Sequence, residues 1–420
     1  MRHLLPLAWR SAWNRRYTLG LTLVAIALSV ALLLAVDRVR QDARASFGQS
    51  VSGTDLIVGA RTSPVQLMLY AVFRIGEATN SMSWASYEHV ARQPLVSWAV
   101  PIALGDSHRG FAVVGTTAEY FERFRYGGRE ALTFTAGRAF SSIFEAVVGA
   151  EVADRLGYST GSRITLNHGA GDVGLAEHSD KPFTVVGVLA RTGTPVDRSV
   201  HVSLEAIEAI HLDWQGGAPM PGVSIPAEHV ARFDLKPKAI TAALVGLKTR
   251  AAVFRVQRQI NEYKDEALVA VLPGVALDQL WQVVGTAERV LLAVSAMVVV
   301  VGLAGLVAVV LAGLNERRRE LAILRSVGAR PRDVFVLLVV EAVGVMLLGA
   351  GLGVLLLAVA TLALGPVVAT HFGVILEWRL LATSELILLA AVVTVGVLAS
   401  LIPGYRAYRL SLADGLTPRL

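Results

Sequence analysis

Four stretches too long and too apolar for an ordinary soluble fold constrain this chain before any motif does. Thr18 to Val36 offers nineteen residues without a charge and Val290 to Leu314 offers 25, against the roughly 20 that a helix needs to cross a bilayer. Val334 to Leu364 carries one charge, Glu341, and Leu386 to Ile402 carries none. Composition supports the same class: 54% of the 420 residues are hydrophobic and only 17% are charged, too apolar for a soluble globular protein. The expected layout is a transmembrane helix at 18–36, a second at 288–314 continuing from a stalk at 275–287, a third at 334–364 and a fourth at 385–403. A cleaved signal peptide fits the first run poorly. The run exceeds the usual roughly 7 to 15 residues, and Asp37-Arg38 follows without a small-residue cleavage site.

Charge orients these spans. The connection Asn315–Asp333 reads NERRRELAILRSVGARPRD, and six of its nineteen residues are arginine. Short Arg-rich connections accumulate on the cytoplasmic side, as do Arg406 and Arg409 after the last span. The segment 1–17, in which Arg2, Arg10, Arg15 and Arg16 are interleaved with Leu4, Leu5, Leu7, Trp9 and Trp13, reads as an interfacial amphipathic segment on the same side. Both termini are therefore expected in the cytoplasm, with 365–384 as an outer loop and 404–420 as a cytoplasmic tail. Within the basic connection, Leu321, Ile323, Leu324 and Val327 recur at helical spacing, and Gly328 and Pro331 supply the stop. The segment reads as a short amphipathic helix or, more plainly, as a solvated basic loop. The net charge of +6 needs no nucleic acid, because membrane topology and anionic lipid account for it.

The run Glu316-Arg-Arg-Arg-Glu-Leu-Ala-Ile-Leu-Arg-Ser-Val-Gly-Ala, followed by Arg332-Asp333 and a new apolar helix, resembles the coupling-helix signature of MacB/FtsX/LolC-type ABC permeases. Pro403-Gly-Tyr-Arg-Ala-Tyr-Arg-Leu is similar to the closing motif of that family, with Leu412 and Gly415 departing from its pattern. The resemblance implies an inner-membrane permease of the mechanotransmission class. A cytoplasmic ABC ATPase subunit, in two copies, would hold ATP and Mg2+. The permease itself would form a homodimer or a heterodimer with a related permease, and a periplasmic or outer-membrane protein is a further expected partner. On this resemblance Glu316, Arg319, Glu320, Leu321, Leu324, Arg325 and Gly328 form the ATPase-coupling segment.

Residues 37–287 differ in character, holding all five lysines and mixed polar composition. Strand Thr54–Ala60, helix Ser83–Arg92, strands Val96–Leu104 and Arg109–Gly115, strand Ile240–Lys248, helix Arg250–Tyr263 and strand Leu268–Leu272 contain the β-α-β-β-α-β order of a ferredoxin-like unit with one strand to spare. An insertion of short strands at about 121–225 interrupts it. The layout resembles the extracytoplasmic domain of the same permeases, a porter-type unit carrying a β-rich sabre-like unit. The fold class expected is thus four transmembrane helices plus a large α+β extracytoplasmic domain.

Candidate chemistry is sparse. The stretch His168 to Asp180 contains His168, Asp172, Glu177 and His178, residue types that ligate zinc, but at irregular spacing amid glycines, and it reads as a solvated hairpin loop with no metal assigned. No P-loop motif appears and every lysine lies in the outer domain, so the chain is not expected to hydrolyse ATP by the P-loop mechanism. Gly349 and Gly353 match the small-xxx-small spacing of closely packed membrane helices, and Glu341, about two turns beyond Asp333, reads as a structural carboxylate. Export or extraction of a substrate from the periplasm or outer leaflet is the expected function. The alternative is an FtsX-like regulator of a periplasmic cell-wall hydrolase.

Overall fold

The uncharged run Thr18–Val36 lies inside a much longer helix, α1 (Arg16–Gln49, 34 residues). The computed structural model describes residues 16–76, 78–169, 176–215, 218–220, 225–316, 318–326, 328–372 and 378–409. The expected amphipathic segment 1–17 lies almost wholly outside the described residues, as does most of the tail 404–420. The chain divides into a unit made of 44–284 with 372–374 and a second made of the remaining 1–43, 285–371 and 375–420.

In the first unit the principal elements are β1 (Leu56–Ala60), α2 (Trp84–Ala91), β2 (Val96–Ile102), β3 (Asp106–His108), β4 (Phe111–Thr116), β5 (Phe134–Gly137), β6 (Glu145–Val148), β7 (Arg163–Ile164), β8 (Asn167–His168), β9 (Ala176–Glu177), β10 (Phe183–Leu189), β11 (Ser199–Ser203), α3 (Leu204–Ile210), β12 (Ala242–Leu247), α4 (Val253–Asn261) and β13 (Leu268–Val271). A four-stranded sheet runs β13-β1-β12-β2, antiparallel throughout. With α2 after β1 and α4 after β12, this is the ferredoxin-like arrangement. Ser83 caps α2, its Oγ accepting from the Ser86 N–H at 3.2 Å, and Val90, Val256 and Ile260 turn inward onto the sheet residues Leu56, Val58, Ala243 and Val245.

The spare strand belongs elsewhere. β4 pairs in parallel with β11, from Ala112 opposite Ser199 to Thr116 opposite Ser203, and enters a nine-stranded sheet ordered β7-β10-β6-β11-β4-β3-β8-β9, with β5 on β10. The inserted unit therefore recruits residues from Asp106 onward, not only from about 121. The physical reason lies in burial: Phe111, Val113, Val114, Gly115 and Thr116 are buried on both faces of the strand, which suits the interior of a mixed sheet.

The second unit is built from four long helices: α1, α5 (Pro273–Glu316), α7 (Pro331–Phe372) and α8 (Thr383–Arg409), with the short α6 (Arg318–Ser326) between α5 and α7. All four long helices have the length and apolar character to cross a membrane. Helix α5 is continuous over 44 residues, joining the expected stalk at 275–287 to the second expected span without an interruption in helical hydrogen bonding. Helix α7 continues past Leu364 and through Pro366, shortening the expected outer loop. The apolar run extends to Val368, and proline removes a single backbone donor. Residues 373–377 of that loop lie outside the described residues.

Candidate functional site

The expected coupling segment contains the nine-residue helix α6 (Arg318–Ser326), while Glu316 ends α5 and Gly328 follows α6. Gly328, at φ +105°, donates its N–H to the Arg325 carbonyl at 3.1 Å and ends the helix in a conformation that glycine adopts without a Cβ penalty. Asp333 then opens α7 by accepting from the Arg330 N–H at 2.8 Å. The apolar residues of α6 divide. Leu321 and Ala322 are buried, and Leu321 joins a core with Leu314, Val334 and Leu338. Ile323 is 60% exposed. Leu321 therefore seats α6 on its own chain, while Ile323 stays outside that core. The side chains of Glu316, Arg319, Glu320 and Leu324 lie outside the described residues, as does Val327 entirely; Arg325 is half-buried.

The expected small-residue face of α7 meets α1 of the same chain. A Cβ at Gly353 would stand 2.7 Å from the Ala27 carbonyl oxygen and 2.9 Å from Val30 Cβ, and one at Gly349 would stand 2.8 Å from Ile26 Cγ2. Both distances are too short for any side chain to occupy without the helices moving apart. Ser29, on α1, also accepts close approach from α5, donating to the Ala25 carbonyl at 2.7 Å and to the Val298 carbonyl at 3.3 Å. Glu341 is half-buried in α7, one residue before the fully buried Ala342.

At the far end of α7 from α6, a cluster of charges closes the bundle. Arg38 of α1 donates through Nε to Glu385 Oε1 at 2.7 Å and through Nη2 to Oε2 at 2.9 Å, with side-chain exposures of 4% and 0%. Glu385 also accepts from the Ala382 N–H at 2.7 Å, acting in the first turn of α8, where carboxylates favour the helix dipole. Beside it Asp42 pairs with Arg379 at 3.0 Å, and Asp37 accepts from Arg40 at 3.0 Å and from Ser384 Oγ at 2.7 Å. Sequence reasoning treats Asp37-Arg38 and Glu385 only as the flanks of spans. Their opposite charges at span edges are the signal that could have paired them.

With this geometry in place, two family profiles match: the MacB-like periplasmic core domain over residues 19–263 and the FtsX-like permease C-terminal domain over 292–412. The chain belongs to the MacB/FtsX-type ABC permease family. Among its relatives are the pyoverdine export ATP-binding/permease protein PvdT of Pseudomonas entomophila, 24% identical over 98% of this permease and 59% of that protein, and the macrolide export ATP-binding/permease protein MacB of Nitrobacter winogradskyi, 24% identical over 94% of this permease and 57% of that protein. The permease thus spans less than two thirds of the length of the curated relatives it matches. Similar solved structures are the periplasmic region of MacB from Actinobacillus actinomycetemcomitans (10% identity, covering 56% of this chain and 94% of that one, TM-score 0.32) and the extracellular domain of the transporter YknZ from Gram-positive bacteria (12% identity, 52% and 99%, TM-score 0.29).

In the periplasmic unit of this permease the stretch His168–Asp180 departs from the expected solvated hairpin. Residues 170–175 lie outside the described residues, but His178 is 1% exposed and packs on Trp214, with ring centroids 4.5 Å apart. Burial, and next the neighbouring His211, push its imidazole down to about 4, so the ring is neutral at physiological pH. His168 moves the other way, raised chiefly by its hydrogen bond to Asp106. Asp106 and His211 are absent from any local motif around His168.

Proposed function

We propose that this chain is the membrane permease of an ABC exporter, with ATP and Mg2+ bound by an ATPase outside these 420 residues. Helix α6 is the element that meets that ATPase. The observation that carries this reading is the division of α6: Leu321 packs with Leu314 of α5 and Val334 and Leu338 of α7, and Ala322 is buried, while Ile323 faces outward between Arg-rich flanks. An exposed isoleucine on a nine-residue helix that carries Arg318, Arg319, Glu320 and Arg325 suits docking into an apolar groove with a charged rim. Two ATPases and two permeases would form the assembly, with the basic connection and both termini in the cytoplasm and the whole in the inner membrane. Helix α5 then passes movement of α6 toward the periplasmic unit, since 44 helical residues extend about 66 Å at 1.5 Å per residue. That unit would expel or extract a substrate from the periplasm or outer leaflet. Its size of about 240 residues favours such a role over an FtsX-like regulator.

The test is Ile323→Asp in the full chain, scored by co-purification of the ATPase and by ATP-dependent export in the native membrane. A carboxylate desolvated in an apolar groove costs several kcal/mol without a partner, so ATPase association should fall at least tenfold while Thr160→Asp, an exposed position in the periplasmic unit, leaves it unchanged. Full association and activity in Ile323→Asp would reduce α6 to a solvated basic turn.

A further inference from the structure

Three histidines and one aspartate converge in the periplasmic unit from four separate parts of the chain. Asp106 lies on β3, His168 on β8, His178 just after β9, and His211 caps the C-terminus of α3. One ligand-type atom from each lies within 4.8 Å of all the others. Asp106 Oδ1 is 3.1 Å from His168 Nδ1 and 3.6 Å from His211 Nε2, and the two histidine nitrogens are 3.1 Å apart. Four ligands about 2.0–2.1 Å from a tetrahedral ion stand about 3.3 Å from one another, so these separations match the edges of such a site.

The proton inventory points the same way. His211 Nδ1 lies 2.8 Å from the Ile207 carbonyl oxygen, which can only accept, so Nδ1 carries the proton and Nε2 presents a bare lone pair to the cluster. A backbone carbonyl holding the distal N–H is the usual support for a metal-bound histidine. His168 Nδ1 therefore faces two acceptors, Asp106 Oδ1 and His211 Nε2, with at most one proton to offer. Among the described residues, His178 Nε2 is buried without a hydrogen-bond partner, a state that is costly for a buried polar atom unless a ligand takes it up. Trp214 lies against all three imidazoles at centroid distances of 4.5–5.4 Å, tilted to those of His168 and His178 and edge-on to that of His211, and limits water access.

We propose that Asp106, His168, His178 and His211 bind one divalent late first-row transition metal, of which zinc is the representative. Imidazole and carboxylate donors without sulfur suit zinc, cobalt, nickel or copper over calcium or magnesium. Four protein donors close the coordination sphere, so the site is structural: it fastens β3 and β8, at one edge of the nine-stranded sheet, to the end of α3. The inference is independent of the ATPase-docking reading, since it concerns only the periplasmic unit.

The test uses the full chain in detergent, purified without a histidine tag, stripped with EDTA and then equilibrated with Zn2+ or Co2+. About one zinc per chain is expected, with the thermal midpoint raised on the order of 10 °C at a thousandfold excess over Kd. Asp106→Asn and His178→Gln should each weaken zinc binding at least about tenfold, whereas His89→Gln, outside the cluster, should not. Bound Co2+ should show the visible absorption of four-coordinate geometry in the unsubstituted chain, a readout that stands even if a variant folds poorly. Absence of retained metal, equal retention in Asp106→Asn and His178→Gln, or a six-coordinate Co2+ spectrum would each overturn the proposal and leave a hydrogen-bonded histidine cluster.

Discussion

The two ends of the four-helix unit solve opposite problems. At one end, Arg38 and Glu385 bury a bidentate ion pair between α1 and α8, flanked by Asp42–Arg379 and by Asp37 with Ser384. At the other, α6 keeps Leu321 inside and leaves Ile323 in the open. At one end the charges pair within the chain, and at the other an apolar side chain stays outside the core. A joint whose charges are already paired holds the helices in register, whereas an apolar residue left outside the packed core is available to a partner. The difference separates residues that keep the permease folded from those that the proposed docking would use, although both sets lie at the edges of apolar spans.

The largest effect expected is at the closed end. Glu385→Ala would leave the Arg38 guanidinium buried without its carboxylate, at a cost of about 3–5 kcal/mol, seen as loss of monodisperse protein in detergent and a lowered thermal midpoint. The double variant Arg38→Met with Glu385→Leu should recover most of that loss, because it removes both charges together. If Glu385→Ala is as stable as the unsubstituted chain, the joint is not what holds α1 to α8.

Next in size is the contact between the two ends. Gly353→Leu places a side chain where the Ala27 carbonyl would be 2.7 Å from its Cβ, and overpacking of this kind costs about 1–3 kcal/mol. Gly351, around which a Cβ meets nothing within 4 Å, is the control: Gly351→Leu should unfold at the same temperature as the parent. Equal effects at the two positions would show that α1 does not approach α7 closely.

An exposed pair of the same chemistry calibrates the buried one. Arg138 and Glu145, in the periplasmic unit, are also bidentate, at 2.7 and 2.9 Å, but Arg138 is 55% exposed. The hydrogen bond from Arg138 holds the Glu145 carboxyl down at about 2, below its ordinary 4.5. A depressed carboxyl pKa contributes stability that is present above pH 4.5 and lost as pH falls from there toward 2. Solvent screening limits the contribution to under about 1 kcal/mol. Glu145→Gln should therefore lower the thermal midpoint by a few degrees at most at pH 7, with the difference vanishing near pH 2.

What could be read from the amino acids alone follows from the range of the interactions. The four spans and the basic connection depend on local runs and local spacing, and the helices fall on those runs. The alternation of β1, α2, β2, β12, α4 and β13 is likewise a local pattern, sufficient for the ferredoxin-like unit. Pairing is not local. The strand Phe111–Thr116 has the same character whichever sheet takes it, and its partner Ser199–Ser203 lies more than eighty residues on. Arg38 and Glu385 are 347 positions apart, and Asp106 and His168 are 62 apart. Glycines between His168 and His178 disguise as a loop what the fold buries against Trp214.

The central claim, that α6 is the docking element for an ATPase, is tested most directly by cross-linking. The chain has no cysteine, so a single one can be introduced and labelled without background. Ile323→Cys carrying a photoreactive group, illuminated in the native membrane, should capture an ABC ATPase, identified by mass spectrometry, with a yield that changes when ATP is added. Thr160→Cys treated in the same way should not capture it. Capture of lipid alone at position 323, or recovery of the ATPase equally from both positions, would contradict the account.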